Sequence, residues 1–214
     1  MALETPRATL ARFFAYGAKT FDGLAASLRP ASPPRSRTLV LGGARSGKSR
    51  YAEKLLNEHP KVLYVATGML PDTADPEWAE RVRVHQERRP PHWQTLETVD
   101  IAAALRTADA PVLVDCLATW LTRVCDDTGA WEDAPGWRQR TDDVVADLLD
   151  AWQAAPTPVV AVSNEVGSGI VPDTPSGRLF RDELGTLNRR IAESADSVVL
   201  VVAGRALQLE GTSQ

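Results

Sequence analysis

Cysteine is scarce in this 214-residue chain: Cys116 and Cys125 are its only two. They supply neither a disulfide framework nor a metal-ligand spacing, and are read as buried apolar side chains in a reducing cytoplasm. Long apolar runs are also missing. No stretch approaches the ~20 residues that span a bilayer, so no stable membrane insertion is expected. No internal repeat is evident, which sets aside repeat architectures. Basic charge is in deficit, with 24 Lys and Arg against 28 Asp and Glu. The balance is uneven. Residues 1–37 carry six basic and two acidic residues, a net of +4, which leaves 18 basic and 26 acidic residues and a net of −8 for the body. An acidic body lacks the basic surface that neutralises phosphates, and excludes general nucleic-acid binding.

What remains is ordinary for a globular protein: 43% hydrophobic and 24% charged residues in a length suited to one α/β domain with an appendage. Residues 1–37 form an N-terminal extension. Leu10, Phe13, Phe14, Phe21, Leu24 and Leu28 fall near helical spacing, and the following RPASPPRSR has the composition of a linker. The extension is expected either to be disordered or to form a short amphipathic helix. No uninterrupted apolar core follows its charges, so it does not read as a secretory signal.

From residue 38 to 214 the chain alternates strand and helix patterns. Apolar runs at TLVLG (38–42), KVLYVAT (61–67), PVLVD (111–115), PVVAVS (158–163) and SVVLVV (197–202) fit strands buried on both faces of a parallel sheet. Helical patterns fall at about 48–58, 76–88, 100–107, 117–125, 137–154 and 176–194. The expectation is a three-layer α/β P-loop NTPase fold, RecA-like, with a mostly parallel central sheet.

GGARSGKS, residues 42–49, lies between the first such strand and the first such helix and matches G-x-x-x-x-G-K-[ST]. Its glycines let successive amides of Gly42, Gly43, Ala44, Arg45, Ser46 and Gly47 curl around one anion, at the positive end of the helix that follows. Lys48 is placed to reach phosphate oxygens, and Ser49 to offer its hydroxyl to Mg²⁺. An acidic partner is expected at the end of another apolar strand beside the first. PVLVDC offers Asp115, either as a Mg²⁺ ligand or as the cap of the next helix.

A P-loop leaves the reaction open. ERVRVHQERRPPHWQTLE, residues 80–97, concentrates Arg81, Arg83, Arg88 and Arg89 around His85, with His92 further on. Guanidinium forks suit phosphate oxygens, and a neutral imidazole can attack phosphorus. A charged helix of this composition is also what a solvated face looks like, so composition leaves both open.

Six segments occur in one order: GGARSGKSRYAE, YVATG (64–68), the His85 stretch, VLVDCLATWLT (112–122), SNEVGSGIVP (163–172) and GRLFRDELGTLNRRIAESADSVVLVVAG (177–204). Together they resemble the bifunctional adenosylcobinamide kinase / adenosylcobinamide-phosphate guanylyltransferase family of cobalamin biosynthesis, over roughly residues 38–204. The resemblance implies two reactions. A nucleoside triphosphate, ATP or GTP, phosphorylates adenosylcobinamide. A histidine then takes GMP from GTP and passes it to adenosylcobinamide phosphate, giving adenosylcobinamide-GDP. His85, followed by Arg89-Pro90, matches the guanylylated histidine, whereas His92, followed by Trp93, matches a non-catalytic position. Lys48 and the loop would hold the triphosphate, Arg88 and Arg89 would stabilise charge at phosphorus, and Thr67 and Gly68 would contact the nucleotide. Glu97 would hold either the ribose or Mg²⁺. Asn164 and Glu165 would face either the corrinoid or a neighbouring subunit, or belong to a rigid structural loop. Arg178, Arg181 and Asp182 would serve either a phosphate or an ion pair. The family also implies a homo-oligomer, a trimer by resemblance. Two features depart from it: residues 1–37 have no counterpart, and Val84 stands where some members carry a second histidine.

Overall fold

In the computed structural model of this chain, residues 36–68 and 76–211 are described, save the side chains of 76–78, 81, 82 and 85. The helix expected within residues 1–37 lies outside them. The order is β1 (Arg37–Gly42), α1 (Lys48–Leu56), β2 (Leu63–Ala66), α2 (Pro76–Arg88), β3 (Gln94–Glu97), α3 (Ile101–Thr107), β4 (Val112–Asp115), α4 (Leu117–Thr128), α5 (Trp137–Ala154), β5 (Val159–Asn164), α6 (Pro175–Glu193), β6 (Ser197–Val202) and β7 (Arg205–Leu209). The strands form one seven-stranded sheet in the order β3-β2-β4-β5-β1-β6-β7. All neighbours are parallel except β6 and β7.

The central strands bury both faces, and alternation decides which residue meets which layer. Leu39, Val65, Val112, Val114, Val159 and Ala161 pack into the larger core with α3, α4, α5 and α6. Their sequence neighbours Val40, Tyr64, Leu113, Val160 and Val162 pack on the other face with Ala52 and Leu56 of α1 and with Trp93. Asp115 has the parity of Leu113, and Tyr64 lies on the same face. That parity is what brings both toward α1.

Local chemistry sets several ends. Asp100 caps α3 by accepting from the Ala103 amide at 2.9 Å. Thr174 caps α6 by accepting from the Gly177 amide at 3.1 Å, with Pro175 in the first turn. Gly129, at φ 74, ends α4 three residues beyond the expected stop.

Three expectations need correction. Two strands carry no apolar run: β3 reads QTLE and β7 reads RALQL, and both are exposed edge strands. With β3 counted, NEVGSGIVP follows the fifth strand in chain order. The strand bearing Asp115 is not beside β1 either, because β5 lies between β1 and β4. Finally, Cys125 is buried as expected, but Cys116 is only partly so.

Candidate active site

The loop after β1 is shaped by two close approaches. A Cβ at Gly42 would stand 2.5 Å from Ser46 Oγ and 2.6 Å from the Val201 carbonyl oxygen, so only glycine fits. Gly47 has φ 93, a left-handed conformation that side chains rarely adopt, and α1 starts immediately after it. Gly204 in the β6–β7 turn donates its amide to the Ser46 carbonyl at 2.8 Å. That turn has φ 50 at Ala203 and φ 74 at Gly204, the mirror-image geometry of a two-residue hairpin. The edge hairpin that sequence reading missed thus supports the phosphate loop. Ala203-Gly204 is not one of the dipeptides that usually betray such a turn.

Ser49 in the first turn of α1 donates its hydroxyl to Asp115 Oδ1 at 3.3 Å. The neighbouring oxygen, Oδ2, accepts from the Tyr64 hydroxyl at 2.8 Å. Asp115 does not cap α4; the capping position is Cys116, and no side chain caps it. Burial first, and then the Asp115 carboxylate, push the Tyr64 phenol well above its ordinary value of 10.0, so it stays a neutral donor. Lys48 reaches back to the Gly43 carbonyl oxygen at 3.3 Å. A serine hydroxyl and a carboxylate at the start of a P-loop helix are hard oxygen donors of the kind Mg²⁺ takes alongside substrate phosphates. Among the described residues no cluster of three or more His, Cys, Asp and Glu could hold a metal alone.

A cavity of about 890 Å³ opens over these groups. The residues from Ala44 to Arg50 form one wall, and Tyr64, Ala66, Gly68, Asp115 and Cys116 at the strand ends form the floor. Val84, Gln86, Arg88 and Arg89 contribute from α2 and its exit, Glu97 from the end of β3, and Asn164 and Phe180 from the far side. Most expected site residues therefore converge. His85 belongs to α2, between the lining residues Val84 and Gln86, and its side chain is outside those described.

The arginines are held differently from one another. Arg88 forks onto Glu53 of α1, with Nη2 at 2.7 Å from Oε1 and Nε at 2.9 Å from Oε2. That hydrogen-bonded carboxylate raises the Arg88 pKa above its ordinary value. Arg89 lies over the Tyr64 ring, its guanidinium carbon 3.7 Å from the centroid, and donates from Nη1 to Thr95 Oγ1 at 3.2 Å. Its Nε is buried without an acceptor. A buried donor of this kind costs about 1–3 kcal/mol until an acceptor arrives.

Thr67 is placed otherwise than its expected role suggests. Its side chain is buried, donates to the Cys116 carbonyl oxygen at 2.7 Å, accepts from the Cys116 amide at 3.0 Å and bonds Thr119 at 2.8 Å. It braces the β4–α4 junction and does not line the cavity. Glu165 accepts from the Gly167 amide within its own loop, and Asn188 of α6 donates to the Asn164 carbonyl oxygen at 3.0 Å. Arg178 donates to the carbonyls of Pro172 and Asp173, while Arg181 pairs with Asp182. His92 is exposed and away from the cavity. Glu53, Tyr64 and Thr95 are the partners sequence reading missed. A glutamate on an apolar helix stripe and a tyrosine inside YVAT were the available signals.

Among solved structures, a prototypical ATPase from the type III secretion system of pathogenic bacteria superimposes with a TM-score of 0.51 at 14% identity, over 77% of this chain and 50% of that one. That likeness concerns the α/β P-loop fold alone. The bifunctional adenosylcobalamin biosynthesis protein CobU of Salmonella typhimurium is 42% identical over 80% of this chain and 98% of its own length. The bifunctional adenosylcobalamin biosynthesis protein CobP of Pseudomonas aeruginosa is 42% identical over 82% of this chain and 98% of its own. The family model described as cobinamide kinase / cobinamide phosphate guanyltransferase matches residues 38–209. A match of that extent, over a P-loop whose serine meets the strand-end aspartate, identifies the chain as a member of the cobinamide kinase / cobinamide phosphate guanyltransferase family.

Proposed function

We propose that this chain phosphorylates adenosylcobinamide with ATP or GTP and then guanylylates the product through His85. The observation that carries the reading is one cavity shared by the P-loop, Asp115, Arg88, Arg89 and the helix bearing His85, in a chain matched over residues 38–209 by the family model. In the first reaction, the loop amides and Lys48 grip the triphosphate while the γ-phosphoryl group passes to the substrate hydroxyl. In the second, the imidazole of His85 attacks the α-phosphorus of GTP. A P–N bond forms, the bond to the bridging oxygen breaks, and pyrophosphate leaves. A phosphate oxygen of adenosylcobinamide phosphate then attacks that phosphorus. The P–N bond breaks, His85 is regenerated, and adenosylcobinamide-GDP departs.

Arg89 is the better placed of the two arginines to meet charge at phosphorus, because Arg88 is already neutralised by Glu53. Ser49 and Asp115 would hold Mg²⁺, which supplies charge neutralisation at the phosphates. Glu97 lines the same cavity and is assigned to the nucleotide. Residues 1–37 are read as an appendage to the domain at 38–214, in keeping with a family match that begins at Thr38. A homotrimer is part of the reading. Exposed Ile170 and Val171 in the NEVGSGIVP loop support burial of that loop by a neighbour, which light scattering of the purified chain measures. We place the reaction in the cytoplasm, where GTP is available. Among the described residues no helix is long and apolar enough to cross a membrane.

The test is covalent labelling. Protein incubated with Mg²⁺ and GTP radiolabelled at the α-phosphate should retain an acid-labile, base-stable label on a denaturing gel. The label should vanish in His85→Ala and persist in His92→Ala. Wild-type protein that binds GTP and takes no label would sink the covalent route. Mass spectrometry of adenosylcobinamide after incubation with ATP or GTP tests the kinase half directly.

A further inference from the structure

Tyr64 lies in the middle of β2, between β3 on one side and β4 on the other, and is almost fully buried. Its two ends meet two different parts of the site. The hydroxyl donates to Asp115 Oδ2 at 2.8 Å, while Oδ1 of the same carboxylate accepts from Ser49 at 3.3 Å. The ring face carries the Arg89 guanidinium 3.7 Å from its centroid. We propose that Tyr64 is a positioning residue that orients the Asp115 carboxylate toward Ser49 and the Arg89 guanidinium toward the nucleotide phosphates. The inference rests on the functional reading above.

The chemistry of the side chain suits both tasks. A carboxylate held through one oxygen by a hydrogen bond is fixed in its plane and turns the other oxygen to a defined direction. A neutral phenol does this without cancelling the negative charge that a divalent cation needs. A lysine or arginine in its place would compete with that cation. On the ring side, stacking fixes the plane of a guanidinium but leaves its N–H edge available. Arg89 uses Nη1 on Thr95, and its buried Nε has no acceptor. The stack thereby sets the orientation of a guanidinium that lines the cavity. Tyr64 is the one described side chain that bonds Asp115 and stacks on Arg89, so one substitution perturbs both and a subtler one perturbs a single arm.

The experiment is a calorimetric titration of the full-length chain with a non-hydrolysable GTP analogue, in Mg²⁺ and in EDTA, with thermal melts alongside. Tyr64→Phe keeps the ring and removes the hydroxyl. It should lower the gain in affinity that Mg²⁺ confers by about 10-fold, the loss expected for one hydrogen bond to a charged group. Its affinity in EDTA should stay at the wild-type value. Tyr64→Leu removes both arms and should in addition slow guanylylation of the protein at saturating GTP and Mg²⁺. A Tyr64→Phe protein with the full wild-type Mg²⁺ gain overturns this inference alone, as does an equal loss in EDTA, which would mark a general packing role. Wild-type protein that binds no nucleotide in either condition overturns the reading of the site and this inference with it.

Discussion

Arg88 at the end of α2 and Glu53 on α1 form a two-pronged ion pair across the cavity wall, at 2.7 and 2.9 Å. Glu53 is the more enclosed partner, its side chain 11% exposed against 31% for Arg88. The pair pins the last turn of the helix that carries His85 to the helix that carries the phosphate loop. Glu53→Gln keeps the shape and removes the charge. It should cost about 1–2 kcal/mol of stability, the scale of a hydrogen bond to a charged group. It should also slow GMP transfer to the protein by ~10-fold or more, because misplacement of a reacting group is expensive. Thermal unfolding and the labelling rate at saturating GTP read the two effects. A stability loss with an unchanged labelling rate would make the pair purely structural.

Asp115 should be needed for both reactions if it serves the shared metal. Asp115→Asn retains the volume and removes the charge. Phosphorylation of adenosylcobinamide and guanylylation of the protein should each fall by ~100-fold or more, as when one preorganised electrostatic group is lost. Nucleotide affinity in EDTA should hardly change. Loss of one activity alone would separate the two metal requirements.

Gly42 and Gly43 differ sharply in what a methyl group would meet. At Gly42 it would overlap the Val201 carbonyl oxygen, part of the sheet backbone, whereas at Gly43 nothing lies within 4 Å. Gly42→Ala should cost about 1–3 kcal/mol through overpacking, and the melting temperature of a chain this size should fall by roughly 2–4 °C per kcal/mol. Gly43→Ala should leave the melting temperature nearly unchanged. Equal melting temperatures for the two variants would contradict the close approach.

Glu183 on α6 provides a pH test. Burial raises its carboxyl pKa above the ordinary 4.5, and Arg138, 3.6 Å away, offsets this only in part. A folded-state pKa above the unfolded value means a contribution to stability present below the unfolded pKa and lost as pH rises through the folded one. Glu183→Gln should therefore raise the melting temperature at pH 7 relative to wild type, and the advantage should disappear on acidification below pH ~4. Melts across that range check it; an advantage that is constant with pH would assign the effect to packing.

Much of this architecture was legible before any tertiary contact was known, and the misses have physical causes. The five interior strands announced themselves because a strand buried on both faces must be apolar throughout. The two edge strands, QTLE and RALQL, have a solvent-facing side and no such constraint, so their sequences look like loops. The P-loop was legible because its function resides in consecutive backbone amides. The place of Asp115 two strands from β1 was not, since sheet order is a property of crossovers and not of any single segment. Thr67, expected at the nucleotide, instead binds Cys116 and Thr119, because alternation past β2 turns it away from the cavity that Ala66 and Gly68 line.

The sequence by itself determined the phosphate loop, the interior strands and the segments that mark the family. Each depends on neighbours within a few residues, where backbone geometry and side-chain periodicity act directly. Only the tertiary structure decided that Tyr64 joins Asp115 to Arg89, that Glu53 claims Arg88, and that a hairpin at the sheet edge braces Ser46. Those pairings span elements distant in sequence. They exist because strand order brings β2 against β4 and parallel crossovers carry α1 and α2 to the same face, which no local pattern encodes.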